Sequence, residues 1–90
     1  MTLLEQHRER LLEIARLEDG WLDGEGVAVT QAASACCEEF LRYLNEDEKI
    51  YLYPTAEGGI SFEVENRPLK YYYWVTFQPD GKFHITAGDL

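Results

Sequence analysis

The fold is decided by residues 50–87, which read IYLYPTAEGGISFEVENRPLKYYYWVTFQPDGKFHITA. Apolar and polar side chains alternate along much of this stretch, most strictly at 60–65, and a period of two residues is typical of half-buried β-strands. Clusters of Gly, Pro, Asn and Asp interrupt the alternation with turns. The predicted strands are 50–53, 60–65, 71–78 and 82–87. Because their connections are short, we expect an antiparallel meander.

The alternation also assigns the side chains of each strand to one of two faces. One face is predicted to point inward, with Ile60, Phe62 and Val64 from the second strand and Phe83 and Ile85 from the fourth. The third strand is apolar on both faces. The opposite, open face is therefore expected to carry aromatic and acidic side chains together, namely Tyr51, Tyr53, Glu63, Glu65, Tyr72 and Trp74.

Two earlier stretches follow the helical period of 3.6 residues instead. The stretch 3–17 has an apolar face and an acidic face, and Thr2 with Glu5 has the spacing of a capping box. The stretch 31–45 follows Thr30, a residue type that caps helix N-termini. Its predicted apolar stripe comprises Ala33, Cys36, Cys37, Phe40, Leu41 and Leu44, with Tyr43 at the edge.

Two helices followed by four strands predict an α+β domain with both helices on one face of the sheet, in the order ααββββ. Ninety residues suffice for one modest core, so we expect residues 1–90 to form a single domain. Between the helices, 19–26 reads DGWLDGEG, and its three glycines are expected to end the first helix. Trp21 and Leu22 are expected to anchor this loop to the core.

The chain is strongly acidic, with 17 acidic residues, 8 basic residues and a formal net charge of −9. Nucleic acids and anionic membranes are bound through clustered lysines and arginines, so neither is expected as a direct ligand. An acidic chain is suited to a basic protein partner. No apolar run approaches the roughly 18 residues of a membrane span, and the charged N-terminus does not resemble a signal peptide.

The two cysteines are predicted to be free thiols that bind no metal. Cys36 and Cys37 are adjacent, which allows neither an unstrained disulfide nor a zinc site, and such thiols indicate a reducing, cytoplasmic location. The acidic loop at 19–26 departs from the EF-hand pattern, so no metal or other cofactor is expected.

A small hydrolase or ligand-binding protein that uses His7, Cys36 or Cys37 is a further alternative, but cysteines and a histidine on apolar stripes are more often core residues. Glu63 and Glu65 could act as paired carboxylates, but no long pocket-forming loop accompanies them. We predict that the protein is not an enzyme.

Three segments resemble motifs of a group of small acidic bacterial and phage proteins. They are LEDGWLDGEG at 17–26, PTAEGGISFE at 54–63 and VTFQPDG at 75–81. Members of the group share a DGW…GEG loop, an alanine-rich helix, a PT-x-EGG hairpin and a closing V-x-F-x-x-DG hairpin. Where many of them have Trp after the hairpin glutamate, this chain has Val64. The resemblance implies a neighbourhood of mobile elements or defence systems, where acidic proteins of this size act as antitoxins or inhibitors.

Two functional hypotheses follow from these patterns. In the first, the protein is a non-enzymatic inhibitor, antitoxin or anti-defence factor, for instance an anti-CRISPR, that masks a basic surface of a toxin or a nucleic-acid-binding protein. Its predicted contact residues are Tyr51, Tyr53, Glu63, Glu65, Tyr72, Trp74, Glu9 and Glu13. In the second, it is a homodimeric structural or accessory subunit that self-associates through the aromatic sheet face. Alternatively, the aromatic side chains only stabilise the sheet by cross-strand pairing.

Overall fold

Two helices precede four strands in the computed structural model, which describes residues 3–44 and 49–89. The helices are α1 (Leu3–Ala15) and α2 (Gln31–Arg42), and the strands are β1 (Lys49–Pro54), β2 (Ile60–Asn66), β3 (Tyr71–Phe77) and β4 (Phe83–Asp89). The strands form one antiparallel sheet in the order β1-β2-β3-β4. The predicted α+β arrangement in the order ααββββ is confirmed.

Both helices are shorter than the apolar periodicity predicts. Helix α1 ends at Ala15, and helix α2 ends at Arg42. Thr2 of the predicted capping box and Asn45 at the predicted end of the second helix lie outside the described residues.

Helix α2 begins where its capping residue predicts. The hydroxyl of Thr30 accepts a hydrogen bond from the backbone N–H of Ala33 at 3.1 Å, which satisfies one of the free donors at the helix start. The same hydroxyl donates to the carbonyl of Pro79 at 2.7 Å. Because Pro79 lies in the turn between β3 and β4, one side chain both caps the helix and ties it to the sheet.

The core lies between the helices and the inward face of the sheet. Phe62 and Phe77 are fully buried, and the ring of Phe40 on α2 lies over both, with centroid distances of 5.3 and 5.9 Å. Such tilted and edge-on contacts are the favoured geometries of aromatic pairs. The buried core residues are Leu3, Leu4, Leu11, Ile14, Val29, Ala33, Cys37, Leu41, Ile50, Leu52, Ile60, Phe62, Val64, Val75 and Phe77.

The turn between β1 and β2 packs against two neighbouring parts of the chain. The carbonyl of Gly58 accepts from the N–H of Thr30 at 3.0 Å, which links the turn to the start of α2. A Cβ atom on Gly59 would overlap the carbonyl of Phe77 on β3, so only glycine allows this close approach. Gly58 thus links the turn to the start of α2, and Gly59 lets it approach the end of β3 closely.

Two predicted anchors of the loop at 19–26 behave differently from expectation. Leu22 is exposed, so the prediction that it anchors the loop to the core is wrong. Trp21 is half-buried, and its Nε1 donates to the carbonyl of Val27 at 3.0 Å. Its indole lies so close to Gly26 that a Cβ there would come within 2.9 Å of Nε1. Trp21 therefore ties the loop to the residue that follows it and not to the core.

The inward side of β4 is only partly covered by the helices. The register does place Phe83 and Ile85 on the helix side, opposite Phe77 and Val75. Their predicted inward direction is therefore confirmed, but they are 53% and 52% exposed and do not join the buried core. The physical reason is the position of the helical layer, since α1 packs on β1 and α2 packs on β2 and β3. Of the described helical side chains, the ring of Phe40 reaches Phe83, at 6.0 Å between centroids.

Candidate functional site

The strand register gathers the aromatic and acidic side chains of the open face into adjacent rows. Glu63 on β2 lies between Tyr51 on β1 and Trp74 on β3. In the next row, Glu65 lies opposite Tyr72. Directly opposite side chains in antiparallel strands are close enough to interact. Each glutamate of this face is therefore bordered by at least one aromatic ring.

The two aromatic side chains that β3 places on this face, Tyr72 and Trp74, form a stack. The rings of Tyr72 and Trp74 are 5.6 Å apart between centroids and inclined by 13°. A Cβ atom on Gly88 would come within 2.7 Å of the Tyr72 ring, so the glycine gives the ring its space on β4. Both rings are partly buried although they face away from the helices. Tyr51 and Tyr53 are more exposed, at 44% and 47%. The stack is a flat platform with more exposed rings beside it.

The carboxylates of the open face lie on β2, and Lys49 on β1 lies opposite Glu65. Arg67 donates to the carboxylate of Glu65 at 2.9 Å, and this hydrogen bond with its opposite charge raises the pKa of the Arg67 guanidinium. Within residues 3–44 and 49–89, Glu63 has no cationic partner. The Glu63 carboxylate is thus available to a cation from another molecule.

The acidic side of α1 is a separate surface. Glu9 and Glu13 are both exposed, and Glu13 pairs with Arg10 at 3.3 Å. Helix α1 packs on the inward side of the sheet, so its glutamates do not share a face with Trp74. The structure brings six of the predicted contact residues together and leaves these two elsewhere.

The residues considered for catalysis do not form a joint site. His7 on α1 is half-buried, which lowers the pKa of its imidazole, and no hydrogen bond joins it to a described cysteine. Burial is also the main reason why the pKa of the Cys37 thiol is raised to about 12, with the neighbouring Cys36 and Glu38 adding to it. A thiol with that pKa stays protonated at neutral pH and is a poor nucleophile. Among the described residues, no group of three or more His, Cys, Asp or Glu is placed to hold a metal ion.

Sequence reasoning missed an apolar groove between α2 and β4. Its volume is about 280 Å³, and Phe40 and Tyr43 border it on one side and Phe83 on the other. Tyr43, predicted at the edge of the apolar stripe, follows the last residue of α2 and is exposed. The alternation of β4 identified the face of Phe83, but no local pattern indicates which strand the helices leave uncovered.

Comparisons with known proteins add no relative: no family model, no curated protein and no solved structure matches this chain. Within the described part of the chain, neither helix has the length and apolar character needed to cross a bilayer.

Proposed function

We propose that the protein is a non-enzymatic binding protein that masks a basic surface of a partner protein with the open face of its sheet. The observation that carries the proposal is the row in which Glu63 lies between Tyr51 and Trp74. Tyr and Trp are enriched where proteins bind each other, because they combine a large apolar area with a polar atom. A carboxylate between such rings adds a preference for Lys or Arg on the partner.

The stacked pair on β3 supports the same proposal. Tyr72 and Trp74 hold each other in place, so little side-chain entropy is lost when a partner covers them. The net charge of −9 attracts a basic partner over a distance set by ionic strength, which makes association fast and salt-sensitive. Binding by this face would block the partner sterically and electrostatically, without chemistry.

The biological setting is part of the proposal. The resemblance to small acidic bacterial and phage proteins favours an antitoxin, an immunity-type inhibitor or an anti-defence factor that acts in the cytoplasm. In each case the masked partner would be a toxin or a nucleic-acid-binding protein, since such proteins carry the clustered basic residues that this face fits.

The test is a comparison of matched surface variants in a capture experiment from host cells. Trp74→Ala and Glu63→Lys alter the open face, while Glu9→Lys with Glu13→Lys alters α1. We expect either open-face variant to weaken binding of the captured basic protein by tenfold or more, because central aromatic contacts commonly contribute about 2 kcal/mol. The α1 variant should change mainly the salt dependence and the association rate.

Each variant must first retain the far-UV circular dichroism and thermal unfolding of the wild type. Unchanged affinity in both open-face variants would exclude this face as the binding surface. A loss confined to the α1 variant would assign binding to the acidic helix instead.

The second hypothesis, a homodimer that buries the aromatic face, is separated by sedimentation. A dimer that dissociates in Trp74→Ala and is insensitive to salt would favour it over a basic partner.

A further inference from the structure

The turn before β4 determines which backbone groups of that strand face outward. The N–H of Gln78 donates to the carbonyl of Lys82 at 2.7 Å, and the N–H of Gly81 donates to the carbonyl of Gln78 at 2.8 Å. Hydrogen-bonded and non-hydrogen-bonded pairs alternate along an antiparallel ladder. Counting from the bonded pair of Gln78 and Lys82, His84 and Thr86 bond toward β3. The residues whose N–H and C=O groups point away from the sheet are Phe83, Ile85 and Ala87.

These outward-facing residues are also apolar, and their side chains lie on the uncovered side of the sheet. Phe83 and Ile85 are about half exposed, and Ala87 is exposed. The strand thus offers unpaired backbone groups and apolar side chains along one line. This combination is the usual signal of a strand that pairs with another chain.

Residues 83–88 of β4 carry none of the usual features that prevent such pairing, although the strand follows Lys82 and ends at Asp89. Natural edge strands are protected by lysines, prolines, bulges or inward-pointing charges. Between 83 and 88, the sequence FHITAG contains no Lys, Arg, Asp, Glu or Pro, and the register to β3 runs without a bulge. In a chain with a net charge of −9, this segment is one where a second acidic copy can approach without opposing carboxylates.

We propose that β4 is the self-association edge of this protein, where a second copy adds its own β4 in antiparallel orientation to give a continuous eight-stranded sheet. Antiparallel pairing is self-complementary, because each outward N–H of one copy meets a carbonyl of the other across a two-fold axis. A pairing centred on Ile85 sets Phe83 of each copy opposite Ala87 of the other. The exposed apolar side chains of the two copies then lie side by side.

The charge distribution favours a second copy over a basic partner at this edge. A basic segment would need several carboxylates along β4, and the strand has one, Asp89 at its end. The single ionisable side chain of residues 83–88 is His84, which points to the open face. The dimer leaves Glu63 and Trp74 accessible, so it is compatible with partner binding there but does not depend on it.

Sedimentation velocity across a micromolar concentration series tests this pairing. Wild-type protein is expected to sediment as a dimer, and Ile85→Pro as a monomer, since proline removes an outward N–H without removing a hydrogen bond to β3. Ile85→Lys is the second variant, since it places a charge beside the same charge of the other copy. Ile85→Ala retains the outward N–H and should retain most of the dimer.

Leu69→Lys is the matched control, because Leu69 is also an exposed apolar residue but lies in the turn between β2 and β3. It should remain dimeric. If Ile85→Pro does not fold, Ile85→Lys decides the result. A wild type that is monomeric at every concentration overturns the proposal, as does a dimer that survives in the folded β4 variants. If the dimer is lost in Trp74→Ala and retained in Ile85→Lys, the aromatic face is the dimer interface and the proposed pairing of β4 is overturned.

Discussion

Strands β1 and β4 are the two edges of one sheet, but α1 packs on β1, whereas α2 reaches β4 at the first residue of that strand, through the ring of Phe40 on Phe83. On β1, the side chain of Arg10 reaches over the edge, and its Nε donates to the carbonyl of Leu52 at 3.3 Å. Pro54 ends that strand without a backbone donor, and Lys49 begins it with a charge. The β1 edge is thus protected by sequence and by a neighbouring element.

The same class of side chain has very different surroundings at the two edges. Leu52 is 4% exposed beneath α1, whereas Ile85 is 52% exposed on β4. Both are aliphatic, both lie near the middle of their strand, and both point to the helix side of the sheet. The difference therefore arises from the lateral position of the helical layer, which is displaced toward β1. Alternation decides the face of a residue, and the neighbouring layer decides its burial.

Truncation of these two aliphatic side chains should give the largest difference between the edges. Leu52→Ala and Ile85→Ala each remove three carbon atoms. We expect Leu52→Ala to lower the free energy of unfolding by about 2 to 5 kcal/mol, because it leaves a cavity under α1. Ile85→Ala should lower it by about 1 kcal/mol or less, since the side chain is already half in water.

Urea unfolding of dilute protein, followed by circular dichroism, measures both values. Isoleucine is β-branched and leucine is not, so lost β-propensity adds to the Ile85→Ala value, and a smaller loss there still reports the difference in burial. Equal losses would mean that β4 is as well covered as β1, which would contradict the described position of the helices.

Much of this contrast was beyond prediction from the sequence, although the elements themselves were predictable. Alternation and turn chemistry are local, so the four strands, their meander order and the shared face of Glu63 and Trp74 follow from residues close together in the chain. The cap at Thr30 is equally local. These features needed no knowledge of how the layers pack.

Burial at β4 depends instead on contacts between distant residues. Arg10 and Leu52 are 42 positions apart, and the contact of Phe40 with Phe62 likewise joins α2 to β2. Such contacts determine where the helices lie across the sheet, and the alternation within β4 does not indicate that position. The inward direction of Phe83 and Ile85 was predictable from alternation, but their exposure was not, because it depends on tertiary packing. Leu22 was mispredicted because an apolar residue in a short loop need not reach the core.

Removing the side chain of Arg10 from the β1 edge should lower the free energy of unfolding by less than Leu52→Ala does. Arg10→Ala leaves the Leu52 carbonyl without its side-chain donor, and we expect the free energy of unfolding to fall by about 0.5 to 1.5 kcal/mol. The lost pairing with Glu13 contributes little, because both side chains are largely exposed. Urea unfolding again provides the measurement.

Arg42→Ala is the matched control for the arginine side chain. Arg42 pairs with Glu38 at 3.3 Å and with Glu39 at 3.8 Å, and all three side chains are substantially exposed. We expect a loss of about 0.5 kcal/mol or less for this variant, as for other exposed helix pairs. If both arginine variants lose the same stability, the bond across the β1 edge is not what stabilises the position of α1.

The smallest expected effect is a pH dependence of the free energy of unfolding that arises from His7 on α1, the helix that packs on β1. Burial lowers the pKa of His7 on α1 below its ordinary value of 6.5. Below pH 6.5 the unfolded chain binds a proton before the folded chain does, so the free energy of unfolding falls as the pH decreases toward the folded pKa. His7→Gln should remove this part of the pH dependence. His84→Gln, which replaces an exposed imidazole on β4, should keep it.

Urea midpoints at about pH 7.5 and about pH 5.5 measure the change, and carboxylates common to all three proteins cancel in the comparison. If both variants change the pH dependence of the free energy of unfolding equally, burial of His7 on α1 is not the cause of that dependence.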